Sequence, residues 1–241
     1  MDALIYTAMS GAERAMRSQQ VHANNLANMD TTGFRANLEQ DGTKPVAGFG
    51  YDARHLNELK DDAVSGRQGT LRQTGRELDA AVHGPGLFTV QWQDGEAYTR
   101  AGNFSVTGDG RLMLDDHPVM GEGGPITVPE NTRIAVGADG SLLAQLPGQA
   151  TMNPIDKLKL VKPEMGDMTK NSAGLLVPRS GGALDADYTV ELNTGSLESS
   201  NVSAVEEMVA TMSVNRDFEV QMKMLKAADS MAEAGNRLIR D

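Results

Sequence analysis

Cysteine is absent from this 241-residue chain, which excludes disulfides, thiolate metal sites and a cysteine nucleophile. Aromatic residues amount to 4%, with one tryptophan, so the sequence offers no cluster of rings on which a sugar could stack. Basic residues are in deficit: 22 Lys and Arg stand against 33 Asp and Glu, a formal net charge of −11. Binding to phosphate backbones draws on clustered Lys and Arg, so nucleic acid is not expected as a partner. No apolar run approaches the length of a membrane span. A cleavable signal peptide is not expected either, because Asp2 stands where a basic region belongs and Glu13, Arg14 and Arg17 interrupt any apolar stretch. Export, if it occurs, requires another route.

Hydrophobic residues make up 39% of the chain, enough for a real core, and 26 glycines with 14 methionines point to many tight turns and adaptable contact surfaces. From Met1 to Phe34, the residues Leu4, Ile5, Ala8, Met9, Ala12, Ala15, Met16, Ala23 and Leu26 recur at steps of three and four, which predicts a long amphipathic helix. Asn28, Asp30 and Gly33 are the residues expected to stop it in left-handed conformations. From Asn201 to Arg240 the same pattern returns through Val205, Met208, Val209, Met212, Phe218, Met222, Leu225, Ala232, Leu238 and Ile239, and Ser203 with Glu206 reads as a capping box. Both terminal stretches are close to neutral, so most of the acidity belongs to the middle and reads as a solvated surface. Two long helices with narrow apolar stripes need partners, in the same chain or in others.

Residues 37–75 lack sustained periodicity and are read as an extended connector and contact surface. Between about Leu78 and Leu192 the period changes to two, in short runs such as Gly86–Trp92, Arg111–Leu114, Ile126–Pro129, Arg133–Val136, Ser141–Leu146, Lys157–Val161 and Tyr188–Leu192. Asp94-Gly95, Asp109-Gly110 and Asp139-Gly140 are hairpin signals, expected as two-residue loops with both residues at positive φ. Val106–Leu112 and Val136–Leu142 share their surroundings at an offset of 30 residues, which suggests a duplicated hairpin. The expected fold is therefore α+β, mainly β: long N- and C-terminal helices pairing as a coiled-coil-like stalk, with a central all-β domain.

The residues do not suggest catalysis. His22, His55, His83 and His117 are scattered with no ligand spacing among them, and adjacent acids such as Asp115-Asp116 and Glu206-Glu207 diverge on strands and helices. The Asp-Gly turns lack the flanking acids of a calcium loop, and Gly84-Pro85-Gly86 leads into a strand with no Lys-Ser or Lys-Thr after it. No cofactor or metal is expected. Asn24, Asn25 and Asn28 end the first helix, either as solvated amides and a cap or as hydrogen-bonding groups that fix the register of packed helices.

Ala23-Asn24-Asn25-Leu26-Ala27-Asn28, followed by Thr31-Thr32-Gly33-Phe34-Arg35, resembles the signature of the bacterial flagellar rod and hook family. Three further blocks agree in order: Gly84-Pro85-Gly86-Leu87-Phe88-Thr89-Val90; Tyr98-Thr99-Arg100-Ala101-Gly102-Asn103-Phe104 before Gly108-Asp109-Gly110-Arg111-Leu112; and Gly195 to Val202 leading to Glu206-Glu207-Met208. The opening Ile5-Tyr6-Thr7-Ala8-Met9 and the absence of a large extra outer domain are similar to the proximal rod members. The resemblance implies a non-enzymatic subunit, exported through the flagellar type III apparatus without a cleaved signal and polymerised helically with itself and other rod proteins in the periplasm. It implies residues 1–36 and 196–241 as helices of an inner tube, 37–75 as connector and 76–195 as a β-rich outer domain. The residues expected at subunit interfaces are Leu4, Ile5, Met9, Ala12, Met16, Ala23, Asn24, Asn25, Leu26, Ala27, Asn28, Thr32, Gly33 and Phe34 at the N-terminal end. Asn201, Val202, Val205, Met208, Met212, Phe218, Met222 and Leu225 are their C-terminal counterparts. A distal rod or other axial member, or an exported β-rich module binding cell-wall polysaccharide, is the alternative.

Overall fold

The computed structural model describes residues 2–45, 55–93, 95–129, 132–145 and 151–240, and within the elements the side chains of residues 2–4, 40, 41, 43–45, 55–62, 236 and 238–240, among them Leu4, His55, Leu238 and Ile239, lie outside what is described. Asp94, in one of the expected hairpin turns, and Leu146, at the end of an expected strand, also fall outside. Two compact units emerge, one of residues 1–27, 37–63 and 203–241, the other of residues 28–36 and 64–202.

In the first unit, helix α1 spans Asp2–Ala27 and helix α2 spans Ala204–Arg240, about 40 and 55 Å at 1.5 Å per residue. Ser203 caps α2 as its sequence predicts: its hydroxyl accepts from the Glu206 N–H at 3.5 Å and its carbonyl from the Glu207 N–H at 3.0 Å. The two helices pack on each other through small residues, with Ala8, Ala12, Ala15 and Ser18 buried on α1 and Ala228 buried on α2. A Cβ on Gly11 of α1 would come within 2.8 Å of the Gln221 side chain of α2. The expectation of a connector over 37–75 is corrected here. Asn37–Pro45 and His55–Val64 form a two-stranded sheet, and Leu71–Gln73 pairs with Ser196–Glu198. These strands are rich in charge and carry no apolar alternation, so periodicity could not reveal them.

The stop of α1 also differs from expectation. Asn28 and Asp30 do not adopt positive φ; Thr31 turns back on Asn28, its N–H donating to the Asn28 carbonyl at 3.2 Å, and Gly33 alone is left-handed at φ 68°.

The second unit is built on a five-stranded antiparallel sheet in the order Leu160–Val161, Leu87–Trp92, Gly95–Thr99, Leu176–Pro178, Met168–Lys170. Leu87 to Val90 are all buried, because the sheet is covered on both faces: Phe88 and Val90 join the larger core, while Leu87 joins a smaller one with Tyr98, Val161 and Met168. Phe88 and Phe104 meet edge to face at 5.1 Å in the larger core. Ala80–His83 pairs with Glu191–Thr194, which moves the expected strand at Tyr188–Leu192 toward the C-terminus. The expected strand Ile126–Pro129 reduces to a single bridge between Thr127 and Arg111. The run read as Lys157–Val161 is split between Asn153–Lys157 and Leu160–Val161.

The 30-residue offset extends into the backbone. Phe104–Val106 with Leu112–Leu114, and Arg133–Val136 with Ser141–Gln145, close through the same turn: Thr107 and Gly137 N–H donate to Arg111 and Ser141 carbonyls at 3.0 and 2.7 Å. Gly110 and Gly140 carbonyls then accept from Val128 and Leu158 N–H at 2.7 and 2.8 Å. Only the glycines are left-handed, at φ 77° and 81°, so each loop is a turn ending in a left-handed glycine and not the expected two-residue loop with both residues at positive φ. The copies differ in space. A Cβ at Gly110 would lie 2.4 Å from the Val128 carbonyl oxygen, whereas at Gly140 it would meet the flexible end of Leu160 at 3.1 Å. Gly140→Ala should therefore cost about 1–2 kcal/mol and Gly110→Ala more, as measured by urea unfolding; equal losses would contradict the assigned turn environments.

Candidate subunit interface

The residues expected to meet neighbours fall on different faces. On α2 the residues turned inward are Val214, Phe218, Gln221, Leu225, Ala228 and Ala232, alternating by four and three. The remaining apolar residues point outward: Val205 and Val209 are 67% and 62% exposed, and Met208, Met212, Val220, Met222, Met224 and Met231 are exposed with them. The single stripe read from the sequence is thus two faces, with Phe218 and Leu225 on the inner and Val205, Met208, Met212 and Met222 on the outer. On α1, Ile5, Met9 and Met16 are exposed, as is Tyr6, which pattern reading passed over. Ala23, Asn24 and Ala27 are exposed, and Leu26 and Asn28 partly covered. Leu4 is outside the described side chains.

Several expected interface residues have partners within the chain. Ala12 is buried in its helix pair. Asn25, 2% exposed, accepts from the Asn37 N–H at 2.9 Å and donates to the Asn37 carbonyl at 3.0 Å and to Glu207 of α2 at 3.1 Å. The amide thus bonds α1 to the following strand and to α2. His22 completes this clasp, with Nε2 3.1 Å from Glu39 and Nδ1 2.5 Å from Glu207, while Ser18 donates to Glu39. Gly33 is another: its N–H donates to the Glu198 carbonyl at 2.7 Å, and a Cβ there would lie 2.2 Å from the Ala101 nitrogen.

Around Gly33 the second unit holds a charged centre missed by sequence reading. Glu198 lies 3.0 Å from Arg35 Nη2 and 2.9 Å from Arg100 Nη1, and all three side chains are 2% exposed. Glu198 also accepts from the Gly69 N–H at 2.9 Å, and Arg100 donates to the Val82 carbonyl at 3.1 Å. Asn201 accepts from the Ala36 N–H at 2.7 Å and donates to the Arg67 carbonyl at 2.8 Å. Burial pulls the Arg100 guanidinium down to about 10 while Glu198 works upward, so it stays charged at neutral pH. Phe34, partly covered, carries the Lys170 ammonium 3.7 Å from its ring centre, and Lys170 donates to the Arg35 carbonyl at 2.6 Å. Thr32 and Val202 are partly covered beside these residues in sequence. Each charge stood alone inside a glycine-flanked motif, so only the fold could pair them. No group of three or more potential metal ligands occurs among the described residues, and no described helix is long and apolar enough to cross a membrane.

Two measurements test this centre. Glu198→Gln leaves two buried guanidinium groups without their counter-charge and should lose about 3–5 kcal/mol in urea unfolding, whereas Glu77→Gln, which breaks the exposed pair with Arg133, should unfold like the parent. Burial lowers Lys170 from 10.5 to about 8. Below about 8 the ammonium is charged in folded and unfolded chains alike. Between about 8 and 10.5 only the unfolded chain keeps the proton, so stability should rise with pH across that window. Lys170→Met should flatten the rise in melting temperature, and an unchanged slope would contradict the burial assigned to this ammonium.

Comparison with known proteins gives three family matches along the chain. The family described as flagella basal body rod protein matches residues 5–35, the flagellar hook protein FlgE/F/G D1 domain residues 81–144, and the flagellar basal body rod FlgEFG protein C-terminal family residues 193–238. The chain is 40% identical to the flagellar basal-body rod protein FlgF of Salmonella typhimurium and 38% identical to that of Escherichia coli, in each case over 99% of both chains. It is 29% identical to the rod protein FlgG of Caulobacter vibrioides, over 96% of this chain and 97% of that one.

Proposed function

The chain belongs to the flagellar basal-body rod protein family, and on that premise we propose that it is a non-enzymatic structural subunit of the proximal rod, assembling with copies of itself and with other rod proteins. The observation that carries this reading is the outer face of α2. Val205, Met208, Val209 and Met212 recur at i, i+3, i+4 and i+7 on α2 as an exposed apolar row with no partner among the described residues, Val220, Met222, Met224 and Met231 are exposed farther along the helix, and an uncovered apolar row of this kind calls for other subunits. Burying one such side chain is worth about 1.5–3 kcal/mol, so the row can supply much of an assembly contact.

In this reading α1 and α2 pair as a coiled-coil-like stalk, supported by the alternation of four and three along the inner face of α2. Residues 1–36 and 196–241 furnish the tube wall, the paired strands Asn37–Pro45 and His55–Val64 lie in the stretch that joins it to the outer body, and 76–195 form that body. The subunit reaches the periplasm through the flagellar export apparatus without a cleaved signal. The family favours this over a wall-binding module, as does the placement of the two most exposed aromatic residues among those described, Tyr6 and Tyr188, in different units.

Electron microscopy of basal bodies from a strain lacking the gene should show a missing or truncated rod; complete basal bodies would refute the role. Within a complemented strain, Met212→Asp should abolish swimming while leaving the melting of the purified chain unchanged, because the charge enters a seam that exists only in the assembly. Arg216→Gln is the exposed control and should swim like the parent.

A further inference from the structure

The chain has no cysteine, so its sulfur chemistry rests on methionine alone. The methionines divide by unit. Every methionine side chain described in the first unit is exposed: Met9 and Met16 on α1 and five more on α2, among them Met208 at 45% and Met212 at 62%. In the second unit Met29 is exposed, Met113, Met120, Met152 and Met165 are partly covered, and Met168 is 1% exposed. A thioether is oxidised where an oxidant can reach its sulfur, and the sulfoxide that results is polar where the parent was apolar. Met208 and Met212 hold the most sensitive position. With Val205 and Val209 they recur at i, i+3, i+4 and i+7, so two sulfoxides would stand inside a single apolar row.

We infer that Met208 and Met212 form a site of reversible oxidation by hydroperoxides, and that an unassembled chain carrying their sulfoxides is kept out of the rod. The inference rests on the rod reading. In the step itself a sulfur lone pair takes one oxygen of hydrogen peroxide and the O–O bond breaks. The other oxygen leaves as hydroxide, which takes the proton of the transferred hydroxyl and becomes water. Sulfur gives up two electrons and the peroxide accepts them; methionine sulfoxide reductases reverse the change. A sulfoxide oxygen enclosed in a subunit seam without a donor is costly, as any buried polar group without a partner is. Once neighbouring subunits cover the row, its sulfurs are out of reach, so the effect falls on chains awaiting assembly and not on finished rods. The alternative is that methionine serves this face only through its adaptability, with oxidation of no consequence.

Hydrogen peroxide applied to the purified chain, followed by peptide mass spectrometry, should add one oxygen to Met208 and Met212 about tenfold faster than to Met168. Equal rates would overturn the inference. For assembly, the parent chain and a chain with Met208→Leu and Met212→Leu are co-expressed in a strain lacking the gene and methionine sulfoxide reductases. Growing cells receive sublethal hydrogen peroxide, so every other component meets the same oxidant. Relative to untreated cells, the ratio of leucine variant to parent in isolated basal bodies should rise about fivefold, with both sulfoxides present in the unassembled parent chains. An unchanged ratio, or unassembled chains without the two sulfoxides, would overturn the inference. Met208→Gln with Met212→Gln, which imitates the polarity of the sulfoxide, should lower swimming about tenfold without peroxide. Swimming like the parent would count equally against it. If a strain lacking the gene builds complete basal bodies, the rod role falls and the oxidation site's effect on assembly falls with it. A rod that needs the chain but admits both forms alike keeps its role and removes only the oxidation inference.

Discussion

The second unit depends on one carboxylate. Glu198 draws the guanidinium groups of Arg35 and Arg100 into a site where all three side chains are almost fully enclosed, and its second hydrogen-bonding partner is the Gly69 backbone. Taking such charges out of water is expensive, and their mutual attraction offsets that cost only when geometry is good and the remaining polar atoms find partners. Here backbone groups at Gly66, Gly69, Val82 and Gly84 supply partners, while Arg35 Nε and Nη2 and Arg100 Nε have no hydrogen bond among the described residues, and the cluster ties together segments that are short, glycine-rich and poor in apolar side chains. Hydrophobic burial alone could not organise these segments, because they have little to bury. Gly33 belongs to the same constraint: a side chain there would collide with the backbone at Arg100 and Ala101 and push Arg35 away from its partner.

The helical unit rests on a different economy of contact. Alanine, serine and glycine line the α1 face toward α2, so the helices approach closely but remove little apolar area from water. Polar groups supply the specificity that packing cannot. Asn25 and His22 reach Glu207 of α2, and Asn37 and Glu39 on the neighbouring strand, so register is set by directional bonds. Apart from Val21 on α1 and Val214, Phe218 and Leu225 on α2, most of the larger apolar side chains described on the two helices are left on exposed faces. Methionine predominates there, and its unbranched, polarisable side chain adapts to neighbours that are not all alike.

Charge follows the same division. In the second unit the acids are carried largely on exposed turns and loops, where solvation is cheap, while residues 63–76 carry Arg67, Arg72 and Arg76 and no acid. The duplicated hairpins show how such a surface can be elaborated. Both copies retain the left-handed glycine and its carbonyl bond to the returning chain, but Gly110 is closed in by backbone where Gly140 faces a side chain.

Periodicity by itself determined the two helices and the change to strands between them, because burial of one face imposes a repeat that a single chain displays. Ser203 with Glu206 placed the start of α2 to the residue, since a cap is a local interaction. The motif blocks were enough to indicate the family. Tertiary structure decided what local pattern cannot carry. The strands Asn37–Pro45 and His55–Val64 pair with each other and show no apolar alternation. The double-sided burial of Leu87 to Val90 depends on layers supplied by distant segments. Which half of the α2 stripe faces α1 was invisible, because both halves are apolar and only the partner's position distinguishes them. Arg35, Arg100 and Glu198 were legible as residues and illegible as a site: an ion pair across 98 or more positions leaves no spacing in the sequence, and only the folded chain brings its members within about 3 Å.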